Sequence, residues 1–488
     1  MKIKLTILLL IFAIPISAQS KKDNLNAFFS RLSLNGQFNG NVLIAENGKI
    51  QYEKSFGYAD FSTHRKNTAE TSFPVASITK TFTSTAILQL KQQGKLKLED
   101  PVSKFLPDFP YKQVTIKQLL SHTAGLPIID SLFFSFIPNH PDTVFTNKDL
   151  IPSFISKKAP LIFKPGEDFS YNNVNYNILA LIIEQLSGLS FASYLKKYIF
   201  IPAGMTNTSL SNFLSRNDKN LLKRYNFKYP YSDKPQWADT LAEFKLMYRI
   251  NFQGHGDMIS TTHDLLKYDI ALYNGKLIDR GNLKEAFIPI KLSNGKDNIQ
   301  RYALGWITRQ DTSIGEIVKH DGGSPGLRTM LLRNPGRHQT IIMFDNTANN
   351  VIPIADSALL ILNGKNVQKP KMSGSRSYGI IMANNGIKAA EQLMEKIKKD
   401  SLNYYLSEDE LNALGYAFMF ANRDLEAETV FYKITQLFRS SWNAYDSYAE
   451  ILLKAGKKQE AIKMYQKSMQ LNPANENGKK VLEQLLRP

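Results

Sequence analysis

Cysteine is absent from all 488 residues. That excludes a disulfide framework, a thiol nucleophile and any thiolate metal site, so chemistry in this chain runs on oxygen and nitrogen. Histidine is scarce as well. His64, His122, His140, His255, His263, His320 and His338 include no His-x-x-x-His pair and no compact His/Asp cluster, which argues against a metal hydrolase; no cofactor is implied. Gly-x-Ser-x-Gly occurs once, at Gly322-Gly-Ser-Pro-Gly326, but it lies between the strand-like runs Gly315–Lys319 and Leu327–Arg333, where a nucleophile elbow needs a strand followed by a helix, so a serine hydrolase built on a histidine and an acid is unsupported. Past the first residues, no segment is long and apolar enough to cross a membrane.

Acidic residues are outnumbered: Lys+Arg is 61 against Asp+Glu 43, a formal charge of +18. The basic residues are scattered, without an aromatic-interleaved stripe, which reads as a solvated basic surface and not as a nucleic-acid interface. The start of the chain is basic Met1-Lys-Ile-Lys4, apolar Leu5 to Ile16, then Ile16-Ser-Ala18 before Gln19. That is the pattern of a secretory signal peptide over residues 1–18, cut after Ala18, with no following cysteine to carry a lipid. The expectation is a periplasmic or secreted protein with no integral membrane segment after cleavage.

With 43% hydrophobic and 21% charged residues the chain folds, and its length predicts two or three domains. Residues Phe38 to Glu53 alternate apolar and polar around Glu46-Asn-Gly48, a β-hairpin pattern. Further strands are predicted at Tyr302–Thr308, Gly315–Lys319, Leu327–Arg333 and Gln339–Asp345, and a helix at Val351–Leu362. Helical periodicity dominates between the two zones. Strands at both ends predict a mixed α/β lobe, its one sheet completed by N- and C-terminal segments, with a helical insertion as a second lobe.

Residues 364–383 read as a linker by composition, leaving 384–488 as a separate helical domain. Leu414, Gly415, Ala427 and Phe431 recur 34 residues later as Tyr448, Ala449, Ala461 and Tyr465. Period and pattern resemble the tetratricopeptide repeat, in which small residues let paired helices approach closely, with a degenerate pair expected before them from Ile387. Such repeats either bind a protein partner or cap the fold.

Ser-x-x-Lys occurs three times, at Ser77/Lys80, Ser193/Lys196 and Ser293/Lys296. A nucleophilic serine needs a base, and lysine serves if burial or neighbouring cations suppress its charge. Ser77 opens a predicted helix reaching about Gln93, which puts Lys80 on the same face one turn on. Ser193 lies inside an amphipathic run and Ser293 in a turn, so only the first copy has a catalytic setting.

Phe73-Pro-Val-Ala-Ser77-Ile-Thr-Lys80, Leu119-Leu-Ser-His-Thr-Ala-Gly-Leu126-Pro, Pro165-Gly-Glu-Asp-Phe-Ser-Tyr171-Asn-Asn173, Gly204-Met-Thr-Asn-Thr208, Ser260-Thr-Thr-His-Asp264, Gly305-Trp306 and His320-Asp-Gly322-Gly-Ser-Pro-Gly326 follow one another in order. From about Asn24 to Asn363 this order resembles the penicillin-recognising serine hydrolases, the branch of class C β-lactamases, D-alanyl-D-alanine carboxypeptidases and related esterases. The resemblance implies a β-lactamase/transpeptidase-like fold over 24–363, an antiparallel sheet flanked by helices plus a helical lobe. It also implies roles: Ser77 as nucleophile, Lys80 and Tyr171 as the proton-transfer pair, the phenol partly ionised beside Lys80, and either of the two as base. Asn173 would bind Lys80 and substrate, with His320, Gly322 and Gly323 on the strand lining the pocket; Ser77 and Gly323 would give the oxyanion N–H groups. His320 stands where many members carry lysine, and Asp321 adds a negative charge that disfavours a substrate carboxylate. His122 reads as structural.

These features imply an exported serine hydrolase acting on a peptide, ester or β-lactam carbonyl, with a small-molecule or peptide substrate and no nucleic acid. The alternative is a penicillin-binding sensor or scaffold with little turnover, working through its helical repeats. The aromatic-rich Leu132–Phe145 and Tyr225–Tyr248 are candidates to shape the mouth of the cleft.

Overall fold

A computed structural model describes residues 16–133, 143–210, 219–241 and 250–486. The leader expected at 1–18 falls, apart from its last three residues, outside the described residues. The chain divides into two compact units: Met1–Tyr225 with Trp237–Gln368, and Asn226–Gln236 with Lys369–Pro488.

In the first unit six strands form one antiparallel sheet: β1 (Gly40–Glu46), β2 (Lys49–Phe56), β3 (Ile307–Asp311), β4 (Gly315–Ser324), β5 (Leu327–Asn334) and β6 (Gln339–Asp345), in the order β3-β4-β5-β6-β1-β2. The hairpin joining β1 to β2 turns at Asn47 (φ 53°) and Gly48 (φ 71°), the two consecutive left-handed residues that a tight hairpin turn requires. N- and C-terminal segments meet where β1 pairs with β6 from Gly40↔Asp345 to Glu46↔Gln339.

Strand periodicity of two sends alternate residues of β1 into separate cores. Val42 and Ile44 pack with helices α1 (Ile16–Leu34) and α5 (Val351–Leu362), among Phe29, Leu359 and Met343. Leu43 and Ala45 join the larger core on the other face, with Phe82 and Ile87 of α2 (Thr79–Gln92), Ile178 of α3 (Asn173–Ser187) and Leu265 of α4 (Thr262–Tyr273). Covered on both faces, β6 is buried along its whole length. Among the described residues no single helix is long and apolar enough to cross a membrane; the apolar α3 forms part of this core.

Two strand predictions move. β3 begins at Ile307 instead of Tyr302, because Gly305 takes φ 84° and a turn carries the fully buried Trp306 inward. β4 runs on to Ser324, through the whole His320–Gly323 motif.

The second unit is helical: α6 (Gly374–Asn385), α7 (Ile387–Lys399), α8 (Glu408–Phe420), α9 (Asp424–Leu437), α10 (Trp442–Lys454), α11 (Lys458–Leu471) and α12 (Glu476–Leu486). Gly415 has to be small, since a Cβ there would lie 2.6 Å from the Phe431 ring. Ser373, Ser407 and Ser441 each cap a helix by accepting a backbone N–H, and they recur at the repeat period. The first cap corrects the linker reading: α6 occupies much of 364–383, so the helical run starts near Gly374. Ile381 and Leu393 stand where the later pairs have Gly415 and Ala427, which hides the pair from a search for small residues. Gly379 provides the close approach instead, 2.5 Å from Leu414 for an added Cβ.

Residues 226–236 pack inside this helical unit. Tyr231 is sandwiched between Tyr229 (centroids 4.9 Å) and Phe418 (4.2 Å, planes 3° apart), with the Arg423 guanidinium 5.7 Å over its ring. Tyr229 and Tyr231 are therefore used as core, against the expectation that they edge a cleft. Of the other insert, Leu132 and Phe133 are buried, and residues 134–142, like 242–249, lie outside the described residues.

Candidate active site

Ser77 sits in a short 3-10 turn, Ala76–Ile78, ahead of α2. Ala76 adopts φ 46°, a left-handed conformation that costs a residue with a Cβ about 1–3 kcal/mol and is held only where the surroundings enforce it. Val75 does the enforcing: its N–H donates to the Met258 carbonyl (2.9 Å) and its own carbonyl accepts from Thr329 Oγ1 (2.9 Å). The other two Ser-x-x-Lys copies stay where the sequence put them, Ser193 in the helix Phe191–Leu195 and Ser293 in a loop.

One helical turn on from Ser77, Lys80 is fully buried. Its Nζ lies 3.1 Å from Ser77 Oγ, 2.8 Å from Asn173 Oδ1 and 2.8 Å from the His255 carbonyl oxygen. As an ammonium it donates to all three. As a neutral amine it donates to Asn173 and His255 and turns its lone pair to the Ser77 hydroxyl, the geometry of a general base. Burial favours the neutral form and holds Lys80 well below the ordinary lysine range, while the carboxylates of Asp257 and Asp321 pull the other way.

Tyr171 and Asn173 come from the start of α3, seated by the loop at 119–127. Asn172 caps α3 by accepting the Val174 N–H and donates from Nδ2 to the Leu126 carbonyl (2.7 Å). His122, at φ 59°, accepts at Nδ1 from the Asn172 N–H and from Asn175 Nδ2, both 3.1 Å, and its ring lies 4.3 Å from that of Tyr171. His122 thus positions Tyr171 from beneath, which agrees with its structural reading. The Tyr171 phenol lies beside the Ser77 hydroxyl, close enough for that hydroxyl to favour the phenolate. Burial raises its proton affinity, Asp321 raises it further, and only the Ser77 contact opposes them. A partly ionised phenol is not what this environment makes: Tyr171 holds its proton, and Lys80 faces its ring at 4.8 Å from the centroid.

The third motif lies on β4, whose pairing with β3 stops at Lys319. Gly322 packs directly on the serine turn, where a Cβ would fall 2.5 Å from the Val75 carbonyl oxygen and 3.0 Å from Ala76 Cβ. Gly323 is exposed. His320 is 1% exposed and both ring nitrogens have partners, Tyr302 Oη at 2.9 Å from Nε2 and the Asp321 carbonyl at 2.7 Å from Nδ1. Nδ1 must carry the proton to bond a carbonyl, and in the neutral ring that burial favours Nε2 then accepts from Tyr302. Burial, reinforced by Lys80, lowers its pKa to about 4 against the pull of Asp321. His320 is brought to the site but not to its surface.

Ser77, Lys80, Tyr171, Asn173, His320 and Gly322 therefore lie together, drawn from the serine turn, the starts of α2 and α3, and β4, while Gly323 follows Gly322 on β4 with Arg328 beside it. Three contributors escaped the sequence reading: the His255 carbonyl, Asp257 and Tyr302. A backbone carbonyl leaves no residue signature, and Tyr302 resembled an ordinary strand residue. For Asp257 the glycines of Gly254-His-Gly-Asp257 were the available hint of a tight turn. No cluster of histidine and carboxylate side chains able to hold a metal ion occurs among the described residues.

The chain is 38% identical over 332 residues to penicillin-binding protein 4* of Bacillus subtilis, across 67% of this chain and 72% of that one. The octameric penicillin-binding protein homologue from Pyrococcus abyssi superposes with TM-score 0.60 at 26% identity, over 70% of this chain and 78% of its own. D-amino acid amidase from Ochrobactrum anthropi SV3 shares the fold, with TM-score 0.59 at 22% identity over 70% and 99%. Residues 27–362 match the Beta-lactamase family, and with this sheet, this serine turn and these relatives the chain belongs to that family of serine hydrolases.

Proposed function

We propose that this protein is an exported hydrolase that forms an acyl-enzyme at Ser77. The observation that carries the reading is the buried Lys80, with Nζ between Ser77 Oγ and Asn173 Oδ1 and facing the Tyr171 ring. Neutral Lys80 takes the Ser77 proton as Oγ attacks the substrate carbonyl carbon. The oxyanion is held by the N–H groups of Ser77 and Gly323. Tyr171 gives its proton to the departing nitrogen or oxygen, and the proton that Lys80 took from Ser77 passes to the tyrosinate, which restores both groups. Water then attacks the ester, the acid leaves, and Ser77 regains its proton.

The substrate class is an amide, ester or β-lactam carbonyl, in keeping with relatives named as penicillin-binding. A neutral His320 and the nearby Asp321 offer no cation to a terminal carboxylate, which favours substrates without one at that position. The leader pattern of residues 1–18 supports export. The tandem helical hairpins favour one second reading, a sensor or scaffold that acylates with little turnover and works through those repeats.

Intact-mass spectrometry after exposure to a penicillin and, separately, a fluorophosphonate tests the proposal, with Ser77→Ala as control. Expected is a fluorophosphonate adduct on wild type and none on Ser77→Ala. A lasting penicillin adduct identifies a penicillin-binding peptidase, and penicillin consumed without one a lactamase. If neither reagent marks Ser77, the catalytic reading fails.

A further inference from the structure

The turn from Gly254 to Asp257 is tied to α2, to α3 and to the serine turn. Gly254 presses on α3, where a Cβ would come 2.5 Å from the Tyr176 carbonyl oxygen, and its own carbonyl accepts from Thr83 Oγ1 of α2 (2.7 Å). Asn177 Nδ2 of α3 bonds the Gln253 carbonyl and His255 Nδ1, each at 2.8 Å. The His255 carbonyl faces Lys80, and Met258 carries the strand that anchors Val75.

Asp257 closes this turn. Its Oδ1 accepts the Gly254 N–H at 2.9 Å, whereas Oδ2 is buried with no hydrogen-bond partner. A buried carboxylate oxygen without a donor is costly, so a nearby cation is the natural compensation. Among the described residues the charged and titratable groups around Lys80 are few. Asp257 and Asp321 are the anions among them, the latter on β4. His122, His255 and His320 are neutral by burial, and Tyr171 and Tyr176 present ring faces.

We propose that Asp257 is a positioning residue for Lys80: it closes the turn that presents the His255 carbonyl, and its carboxylate is the counter-charge met by the ammonium formed when Lys80 takes the serine proton. The inference rests on the acyl-enzyme reading above. Burial raises the Asp257 carboxyl to about 6, against the backbone N–H groups and Lys80, so the charge is present at neutral pH and fades on acidification.

The test is the rate of fluorophosphonate labelling of Ser77 against pH, on the full chain. In Asp257→Asn the amide oxygen still accepts the Gly254 N–H, so the fold and the Lys80 contacts persist. Without the anion Lys80 gives up its proton more readily, and the acid limb of the profile moves about one pH unit downward with a lower plateau. Asp257→Ala, which opens the turn as well, reacts more slowly still. A folded Asp257→Asn protein whose limb stays in place, or moves upward, overturns the inference. Should that variant not fold, wild type labelled with [4-13C]aspartate decides: one carboxyl resonance titrating near 6 and shifting on Ser77 modification supports it, and no such resonance overturns it. A wild type that is never labelled defeats the acyl-enzyme reading, and this inference with it, a result distinct from an unmoved limb.

Discussion

In the proposed mechanism Lys80 works as a base only because folding denies it a proton, and that opposition is measurable. Arginine cannot deprotonate, so Lys80→Arg should slow Ser77 labelling by about 10²–10⁴-fold, checked by mass spectrometry over time. Labelling should also rise with pH as Lys80 loses its proton. Stability carries the same sign. A lysine held below 10.5 in the folded state keeps its proton longer when unfolded, so stability climbs with pH between the folded value and 10.5 and is reduced below that window. Denaturation of Lys80→Met at several pH values should show a flatter slope; an unchanged slope would remove Lys80 from the explanation. The pairing itself was legible, since three residues along a helix fix both side chains on one face. Its third partner was not, because a carbonyl arriving from 175 residues away is placed by tertiary packing alone.

At the scale of elements, β4 meets the serine turn without room for a side chain. Gly322→Ala puts a Cβ 2.3 Å from Thr329 Oγ1 and 2.5 Å from the Val75 carbonyl oxygen, so strand or turn must shift. Overpacking of this kind costs about 1–3 kcal/mol, and Ser77 labelling should fall with it. Normal labelling in that variant would show that the turn tolerates displacement. Farther along the sheet, α4 is tied to β5 by a fully buried ion pair, Arg333 Nε to Asp269, with Arg333 over the rings of Tyr273, Phe287 and Trp306. Asp269→Asn strands that guanidinium and should lower stability by about 3–5 kcal/mol in urea denaturation. β5 and β6 were readable because each is a short apolar run bounded by turn residues, Pro325-Gly326 before β5 and Pro335-Gly336 between the two. The Tyr302–Trp306 turn was not, since a run of Tyr, Ala, Leu and Trp looks like strand until Gly305 bends it.

At the scale of the whole molecule, the chain passes from one unit to the other three times, so the helical unit is not a simple tail. Tyr231 is 8% exposed and stacked on Phe418. Tyr231→Ala should therefore destabilise the helical unit by about 3 kcal/mol, visible as earlier proteolysis within residues 369–486. Unaltered digestion would mean that residues 226–236 add nothing to it. The 34-residue period foretold two helix pairs, but no local signal in residues 226–236 points to partners so far along the chain.

That discontinuity has a consequence for synthesis. Tyr229 and Tyr231 leave the ribosome long before Phe418, and at about 5–20 residues per second the wait is on the order of ten seconds or more. Throughout it the nascent protein lacks the α8 ring on which Tyr231 stacks. A product cut short before α8 would leave Tyr231 without that ring, giving chaperones and proteases a mark by which to tell it from the finished chain.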